Sequence, residues 1–156
     1  KVLDLENLMK LKNVKSLDIL KIKKIDLIKY DYIILPGYLI KQLPSNIVDV
    51  FVNTRSFMEM NIETVNFYFS QIHRSINRDG IFYCVNRYKK KTSGDTIKFK
   101  KFPFDENWSF EISKKSFSQP LIHEALLKRT RFRNYKLRKE LMRLKPYDFE
   151  FFRNLM

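Results

Sequence analysis

The feature that most constrains the fold is the segment 48–86, where two apolar runs flank a helical pattern. The runs are "IVDVFVN" (47–53) and "GIFYCVN" (80–86), and such short runs rich in β-branched and aromatic residues are typical of buried strands. Between them, apolar residues step by three and four positions, which indicates one face of a helix. These residues are Ile62, Val65, Phe69, Ile72 and Ile76. The short connections predict a right-handed βαβ unit with parallel strands.

The ends of this helix have recognisable signals. Asn61 can cap the N-terminus, with Glu63 in the first turn, because an Asn side chain satisfies a free backbone N–H and a carboxylate favours the positive end of the helix. Arg74 and Arg78 lie near the other end, followed by Asp79-Gly80. A glycine after basic residues is a common stop signal, so we expect the helix to end there.

Two earlier apolar runs predict further strands. "KVLDLENL" begins the chain, and "YDYIIL" (30–35) ends at the breaker Pro36-Gly37. The segment from Pro36 to Asn46 is long enough for only one or two helical turns. Because all four runs are nearly continuous in apolar residues, they predict strands that are buried on both faces, as in parallel sheets covered by helices.

The pattern changes after Asn86. "RYKKKTSGD" (87–95) is typical of a charged loop, whereas "TIKFKKF" and "WSFEISKKSF" (108–117) alternate as strands with one wet face do. From Ser118-Gln119-Pro120 we expect a long helical region that ends at Pro146. The order of elements predicts an open α/β sheet with a finishing hairpin.

The charge of the chain leaves its partners open. Thirty-one Lys and Arg residues against 17 Asp and Glu residues give a net charge of +14, which fits a nucleic acid or another anionic surface. However, 21 Lys, 15 Ile, 14 Phe and 11 Asn beside one Ala follow AT-rich codons, which raise the Lys count without a functional demand. The basic run at 128–145 is therefore either an anion-binding helix or a solvated helix face.

The remaining composition excludes several classes of protein. With Cys84 as its one cysteine and two distant histidines, the sequence has neither a disulfide framework nor a metal-ligand spacing. No apolar run approaches the roughly 20 residues of a membrane helix, and no signal-peptide pattern opens the chain. We expect a cytoplasmic protein. Because the chain starts at Lys1 with a strand-like run, we also expect it to be a piece of a longer protein.

Polar side chains follow the predicted parallel strands where each strand ends. Ligands of open α/β sheets bind at the carboxyl ends of the strands, so these residues are candidates for a binding site, and ordinary turns are the alternative. They are Asp4 after the first strand, Asn53, Arg55, Ser56 and Glu59 after the third, and Asn86 and Arg87 after the fourth.

Several motifs together resemble the putative sugar O-methyltransferase family of class I, S-adenosylmethionine-dependent methyltransferases. They are "VDVFVNTRSFMEM", "VNFYFSQIHR", "GIFYCVNRYKK", "FPFDENW" and "HEALLKR", and the resemblance covers about residues 2–130. It implies a partial Rossmann-like three-layer sandwich, with a mostly parallel sheet finished by an antiparallel hairpin and a basic C-terminal helix. Residues 1–120 would be the later part of the methyltransferase domain and 121–156 its helical extension.

The sequence departs from this family in one respect. Class I methyltransferases hold the methionine part of the cofactor with a Gly-rich loop after the first strand, whereas Gly37, Gly80 and Gly94 are scattered and no G-x-G occurs. If the resemblance holds, that strand and loop precede Lys1. The chain alone would then be inactive.

The resemblance assigns S-adenosylmethionine as cofactor and a sugar or glycan hydroxyl as acceptor. Asp4 would accept hydrogen bonds from the two ribose hydroxyls, with Glu6 as the alternative, and Asn53 and Ser56 would contact the cofactor. The base that takes the acceptor proton would be Glu59 or His123.

The acceptor itself would lie against four further residues. They are Arg55, Asn86, Arg87 and Trp108. Trp108 is expected to be exposed, where its ring could stack on a sugar, and the arginines suit a carboxylate or phosphate. Two other functions stay open: a nucleic-acid-binding protein or RNA methyltransferase that uses the basic C-terminal helix, and a non-catalytic α/β interaction domain.

Overall fold

The computed structural model describes residues 2–4 (backbone only), 30–91, 96–117 and 119–144. The described strands are β1 (Val2–Asp4), β2 (Tyr32–Ile34), β3 (Val48–Thr54), β4 (Ile76–Arg87), β5 (Lys89–Lys91), β6 (Thr96–Lys98), β7 (Trp108–Lys115) and β8 (Ile122–Arg129). The α-helices are α1 (Ile62–Ser75) and α2 (Leu137–Arg143), and short 3₁₀ helices span Gly37–Gln42, Phe57–Glu59 and Phe99–Lys101.

The strands form a mixed α/β fold, as the sequence predicts. β1 pairs with β2 in parallel. β3 pairs with β4 in parallel, and α1 connects these two strands along the chain, so the βαβ unit is confirmed. The larger sheet has the order β3-β4-β8-β7, in which β8 is antiparallel to both of its neighbours. An antiparallel hairpin does finish the sheet, but it pairs β7 with β8, and the sequence predicts helix for the residues of β8. The strand β6 pairs instead with β5, in a separate two-stranded antiparallel sheet.

The N-terminal cap of α1 is confirmed, but its predicted C-terminal end is wrong. The Asn61 side chain accepts a hydrogen bond from the Thr64 N–H at 2.8 Å. The helix ends at Ser75, because Ile76 is already extended and begins β4 opposite Val48. Asp79-Gly80 instead lies within β4, where the β3–β4 register shifts and Asp79 has a φ of 63°. The signal for a helix stop therefore marks a β-bulge.

The core is aromatic and lies on one face of the larger sheet. Phe69 of α1 contacts the rings of Phe57, Phe82 and Phe104 at centroid distances of 5.3, 5.9 and 4.9 Å. On the opposite face, Val50 and Val52 of β3 are exposed. The expectation of burial on both faces is therefore wrong for β3, since the described core cluster gathers on the α1 side of the sheet.

The long C-terminal helix that we expect from 118 to 146 is also wrong. Residues 122–129 form β8, which is hydrogen-bonded on both sides within the sheet, and helix returns only at Leu137–Arg143. Tertiary pairing overrides the local helix propensity of "HEALLKR". Similarly, "TIKFKKF" is a strand only over Thr96–Lys98 before it turns into a 3₁₀ helix. The division of the chain at residue 120 stays a prediction.

None of the helices in the described ranges is both long and apolar enough to cross a membrane.

Candidate functional site

The carboxyl ends of β3 and β4 lie side by side. Asn53 is opposite Cys84 and Thr54 is opposite Val85 in the parallel register. The Arg55 N–H then donates to the Val85 carbonyl at 2.7 Å, and Arg55 adopts a φ of 62°. This left-handed residue turns the chain out of the sheet directly after the last ladder bond. The polar residues after β3 are consequently held next to the end of β4.

Three of the predicted site residues form one hydrogen-bonded chain, which we call the strand-end amide cluster: Asn53, Ser56 and Asn86. The Asn86 amide nitrogen donates to the Asn53 side-chain oxygen at 2.9 Å, and the Asn53 amide nitrogen donates to the Ser56 hydroxyl at 2.5 Å. Asn86 also donates to the Cys84 sulfur at 3.4 Å. The structure therefore brings together residues that are 33 positions apart in sequence.

The strand-end amide cluster keeps unused hydrogen-bonding capacity. Asn86 is fully buried, and its side-chain oxygen has no hydrogen-bond partner within the described part of the chain. A buried acceptor without a partner costs on the order of 1–3 kcal/mol. Among the residues that the structure describes, the Ser56 hydroxyl proton and the second amide hydrogen of Asn53 also have no acceptor. The cluster offers both donors and acceptors, without a formal charge, to a ligand at this edge of the sheet.

Glu59 lies near the site on a separate short element. The 3₁₀ helix Phe57–Glu59 is anchored by Phe57 and Met58, which are both buried. The Glu59 carboxylate forms an ion pair with the Lys90 ammonium group of β5, and the Glu59 side chain is largely exposed. This pairing holds the carboxylate at the surface, beside the strand that follows Arg87.

His123, the other candidate base, is enclosed. It lies on β8 and is 1% exposed. Its Nδ1 contacts the Tyr88 hydroxyl at 2.8 Å, and its Nε2 contacts the Ser113 hydroxyl at 3.2 Å. Burial lowers the pKa of His123 to about 4, although nearby Glu124 opposes the shift. Since both ring nitrogens have partners inside the protein, this arrangement is that of a structural histidine.

The expectation that Trp108 is exposed is wrong. Its side chain is fully buried at the start of β7, against Phe82 at a ring-centroid distance of 5.9 Å. The guanidinium of Arg129 lies 5.0 Å from the ring centroid. A ring with these contacts is part of the core, and no face of it is left for a sugar.

The other predicted residues are less constrained. Arg55 and Arg87 are exposed at the same strand ends. Asp4 ends β1 opposite Ile34, and its side chain lies outside the described atoms. Burial raises the pKa of Cys84 to about 12, partly opposed by its hydrogen bond to Asn86, so this thiol is not a nucleophile.

Sequence reasoning missed a charged cluster at the opposite edge of the sheet. The Asp105 carboxylate accepts two hydrogen bonds from Arg129, one of them at 2.9 Å, and lies 3.5 Å from Nδ1 of His73. Burial alone would raise the pKa of Asp105, but Arg129 and His73 lower it below its ordinary value. Burial lowers the pKa of His73, with Asp105 opposing. No local pattern signals contacts over such sequence separations.

Comparison with known proteins gives few matches. No protein-family model and no curated protein matches the chain. One solved structure that does match is titled "Crystal structure of a putative type 11 methyltransferase from Sulfolobus solfataricus". It is 22% identical, with a TM-score of 0.45, over 84% of this chain and 71% of that one. This likeness is too low to support an inference about activity.

Proposed function

We propose that the chain is part of an S-adenosylmethionine-dependent O-methyltransferase that acts on a sugar or glycan hydroxyl. The observation that carries the proposal is the strand-end amide cluster, which joins the carboxyl ends of two parallel strands. Ligands of open α/β sheets bind at that edge. The motifs that resemble the sugar O-methyltransferase family run through the same residues.

The chemistry of the cluster suits the cofactor. S-adenosylmethionine has a nucleoside part and an amino-acid part, and it supplies a methyl group on a sulfonium when bound. Asn53 and Ser56 keep donors for such polar groups, and the buried oxygen of Asn86 has no partner within the described residues. Asp4, at the end of β1, remains our candidate for the ribose hydroxyls.

On the acceptor side, Glu59 is our candidate base. Methyl transfer needs mainly the alignment of the acceptor oxygen with the methyl group, and a base that takes the hydroxyl proton. The Glu59 carboxylate pairs with Lys90 through one oxygen, which leaves the other oxygen as an acceptor. Arg55 and Arg87 are exposed at the strand ends and would bind a carboxylate or phosphate on the acceptor.

Calorimetry of the full-length gene product with S-adenosylhomocysteine tests the cofactor part of the proposal. We expect saturable heat. We also expect Asn53→Ala to weaken binding about tenfold, since it removes one hydrogen bond to the ligand and breaks the bonds of Asn53 to Ser56 and Asn86. Asn77→Ala is the matched control, because Asn77 lies on the neighbouring strand β4 and its side-chain amide donates to Asp49 at 2.5 Å, at the other end of the strand pair. Absence of heat from the folded wild type would favour the non-catalytic interaction domain.

A transfer assay tests the role of Glu59. With labelled S-adenosylmethionine and a panel of mono- and oligosaccharides, Glu59→Gln should lower kcat by about a hundredfold while S-adenosylhomocysteine still binds. Lys90→Met breaks the same ion pair but leaves the carboxylate, so its kcat should fall much less. If both variants lose the same activity, the ion pair is structural and Glu59 is not the base.

A further inference from the structure

The segment 129–143 concentrates arginine in a chain that otherwise favours lysine. The sequence has ten arginines, and five of them lie in these fifteen residues: Arg129, Arg131, Arg133, Arg138 and Arg143. The coding bias that raises the Lys count does not explain this local excess. Arginine binds phosphate through two parallel N–H bonds and stacks on planar rings, which lysine does not.

Two aromatic rings project from the same segment. Phe132 is 84% exposed and Tyr135 is 77% exposed. The segment that carries them is fixed at two places. The Thr130 N–H donates to the Asn107 carbonyl at 2.8 Å, and the side-chain amide of Asn134 donates to the Trp108 carbonyl at 3.1 Å. The two rings are therefore held in exposed positions on a fixed part of the segment 129–143.

Leu137 and Leu141 of α2 pack in the core and hold the C-terminal part of the same segment there. As a consequence, the short helix has its main apolar residues inside the protein. It lacks the wide apolar stripe with which an amphipathic helix lies on a membrane. The exposed chemistry of the segment is instead planar rings alternating with arginines.

A pocket of about 390 Å³ lies beside the Phe132 ring. Arg78, Arg129 and Arg131 line it with Phe132 and His73, and none of the described lining residues is acidic. Arg129 is neutralised by Asp105. Within the described part of the chain, Arg78 and Arg131 have no carboxylate within ion-pair distance. The pocket is thus positive, and the buried Nε2 of His73 has no partner among the described residues.

This pocket lies away from the strand-end amide cluster. His73 is in the last turn of α1, and Ile76, another lining residue, begins β4. Arg129 ends β8, which runs antiparallel to β4. The pocket therefore lies at the amino edge of the parallel strands, and the cluster at their carboxyl edge.

We propose that this edge binds single-stranded nucleic acid through a basic–aromatic surface formed by Arg78, Arg131, Phe132, Arg133 and Tyr135. Phosphates lie against Arg78 and Arg131 in the pocket, and bases stack on the Phe132 and Tyr135 rings. A positive groove with stacking rings is how single strands are bound without sequence readout. Duplexes keep their bases stacked and cannot use the rings. This proposal stands independently of the methyltransferase proposal.

Fluorescence anisotropy with labelled 12-mers of oligo-U, oligo-dT and a duplex tests the proposal. The single strands should bind more tightly than the duplex. Phe132→Ala/Tyr135→Ala should weaken single-strand binding at least about tenfold. Arg78→Gln/Arg131→Gln should also weaken single-strand binding. In a plot of log affinity against log salt, the slope should become shallower by about 0.7 for each phosphate that the variant no longer neutralises.

Matched controls separate this surface from general attraction to a cationic protein. Phe117→Ala removes an exposed ring at the β7–β8 turn, and Lys114→Gln/Lys115→Gln removes two charges from β7. Both should leave the affinity within about twofold. Circular dichroism checks that every variant is folded.

Three results would overturn the proposal: equal losses in the control variants, duplex binding as tight as single-strand binding, or ring-dependent binding to vesicles of anionic phospholipid without binding to oligonucleotides. Asn53→Ala should bind the single strands as the wild type does, and the ring variant should bind S-adenosylhomocysteine as the wild type does. The two proposals can therefore fail separately.

Discussion

Acidification should destabilise the protein through His123 before most carboxylates titrate. The buried ring has a pKa of about 4 in the folded protein, whereas an unperturbed histidine has a pKa of about 6.5. Because the folded pKa is the lower one, the unfolded chain takes up the proton first. The contribution of His123 to the free energy of unfolding is therefore fully present above about pH 7, and it is lost as the pH drops from about 6.5 towards 4.

The size of this effect follows from the two pKa values. Each pH unit below the unfolded pKa removes about 1.4 kcal/mol, so His123 should account for about 2 kcal/mol at pH 5 and roughly 3 kcal/mol near pH 4. The pKa of Asp105 is lowered, so this carboxylate stays ionised at pH 5. The pKa of His73 is also lowered, and its contribution has the same sign.

Urea unfolding at about pH 7.5 and pH 5 measures the effect in a His73→Gln background, which removes the second histidine. The stability of this parent should fall by about 2 kcal/mol more than that of His73→Gln/His123→Gln. An NMR titration of the His123 ring in the wild type gives the pKa without any substitution. A measured pKa of 6.5 or higher, or equal losses in parent and variant, would refute the enclosed ring and restore His123 as a candidate base.

Three further substitutions test the packing and backbone geometry of the fold, each by urea unfolding. Gly80→Ala should cost about 2 kcal/mol, because a β-carbon there would lie 2.9 and 3.2 Å from backbone oxygens. Gly37→Ala should cost under about 1 kcal/mol, because a β-carbon there would meet only the end of the Tyr68 side chain. Equal costs would contradict this. Arg74→Ala should cost about 2 kcal/mol, since its guanidinium donates to backbone carbonyls of residues 40, 41 and 43; an unchanged midpoint would show that these bonds are not formed. Arg55→Gly should stabilise the fold by about 1 kcal/mol by relieving the left-handed φ of 62°, and Arg55→Ala should not.

The parts of the fold that the sequence predicts are those with strong local signals. The helical spacing from Ile62 and the cap at Asn61 define α1, and the apolar runs on either side define β3 and β4. The end of α1 could not be predicted, because Asp79-Gly80 is a turn signal that a bulge and a helix stop share. β8 could not be predicted either, since its strand state depends on pairing with both β4 and β7.

The candidate site divides in the same way. Asn53, Ser56 and Asn86 come together because parallel strands end at one edge, and that inference needs only the βαβ topology. The burial of His123 and Trp108 could not be predicted, for a different reason. Their burial is decided by the β7–β8 hairpin and the aromatic core, and neither is visible in local spacing.

The most direct measurement of the central claim follows the side-chain amide resonances of asparagine by NMR in the full-length gene product. Addition of S-adenosylhomocysteine should shift the amides of Asn53 and Asn86, which join the ends of β3 and β4. The amides of Asn77 and Asn107, at the other edge, should stay unchanged. Shifts confined to Asn77 and Asn107, or none on a folded protein at saturating ligand, would contradict the assignment of the strand-end amide cluster to the cofactor.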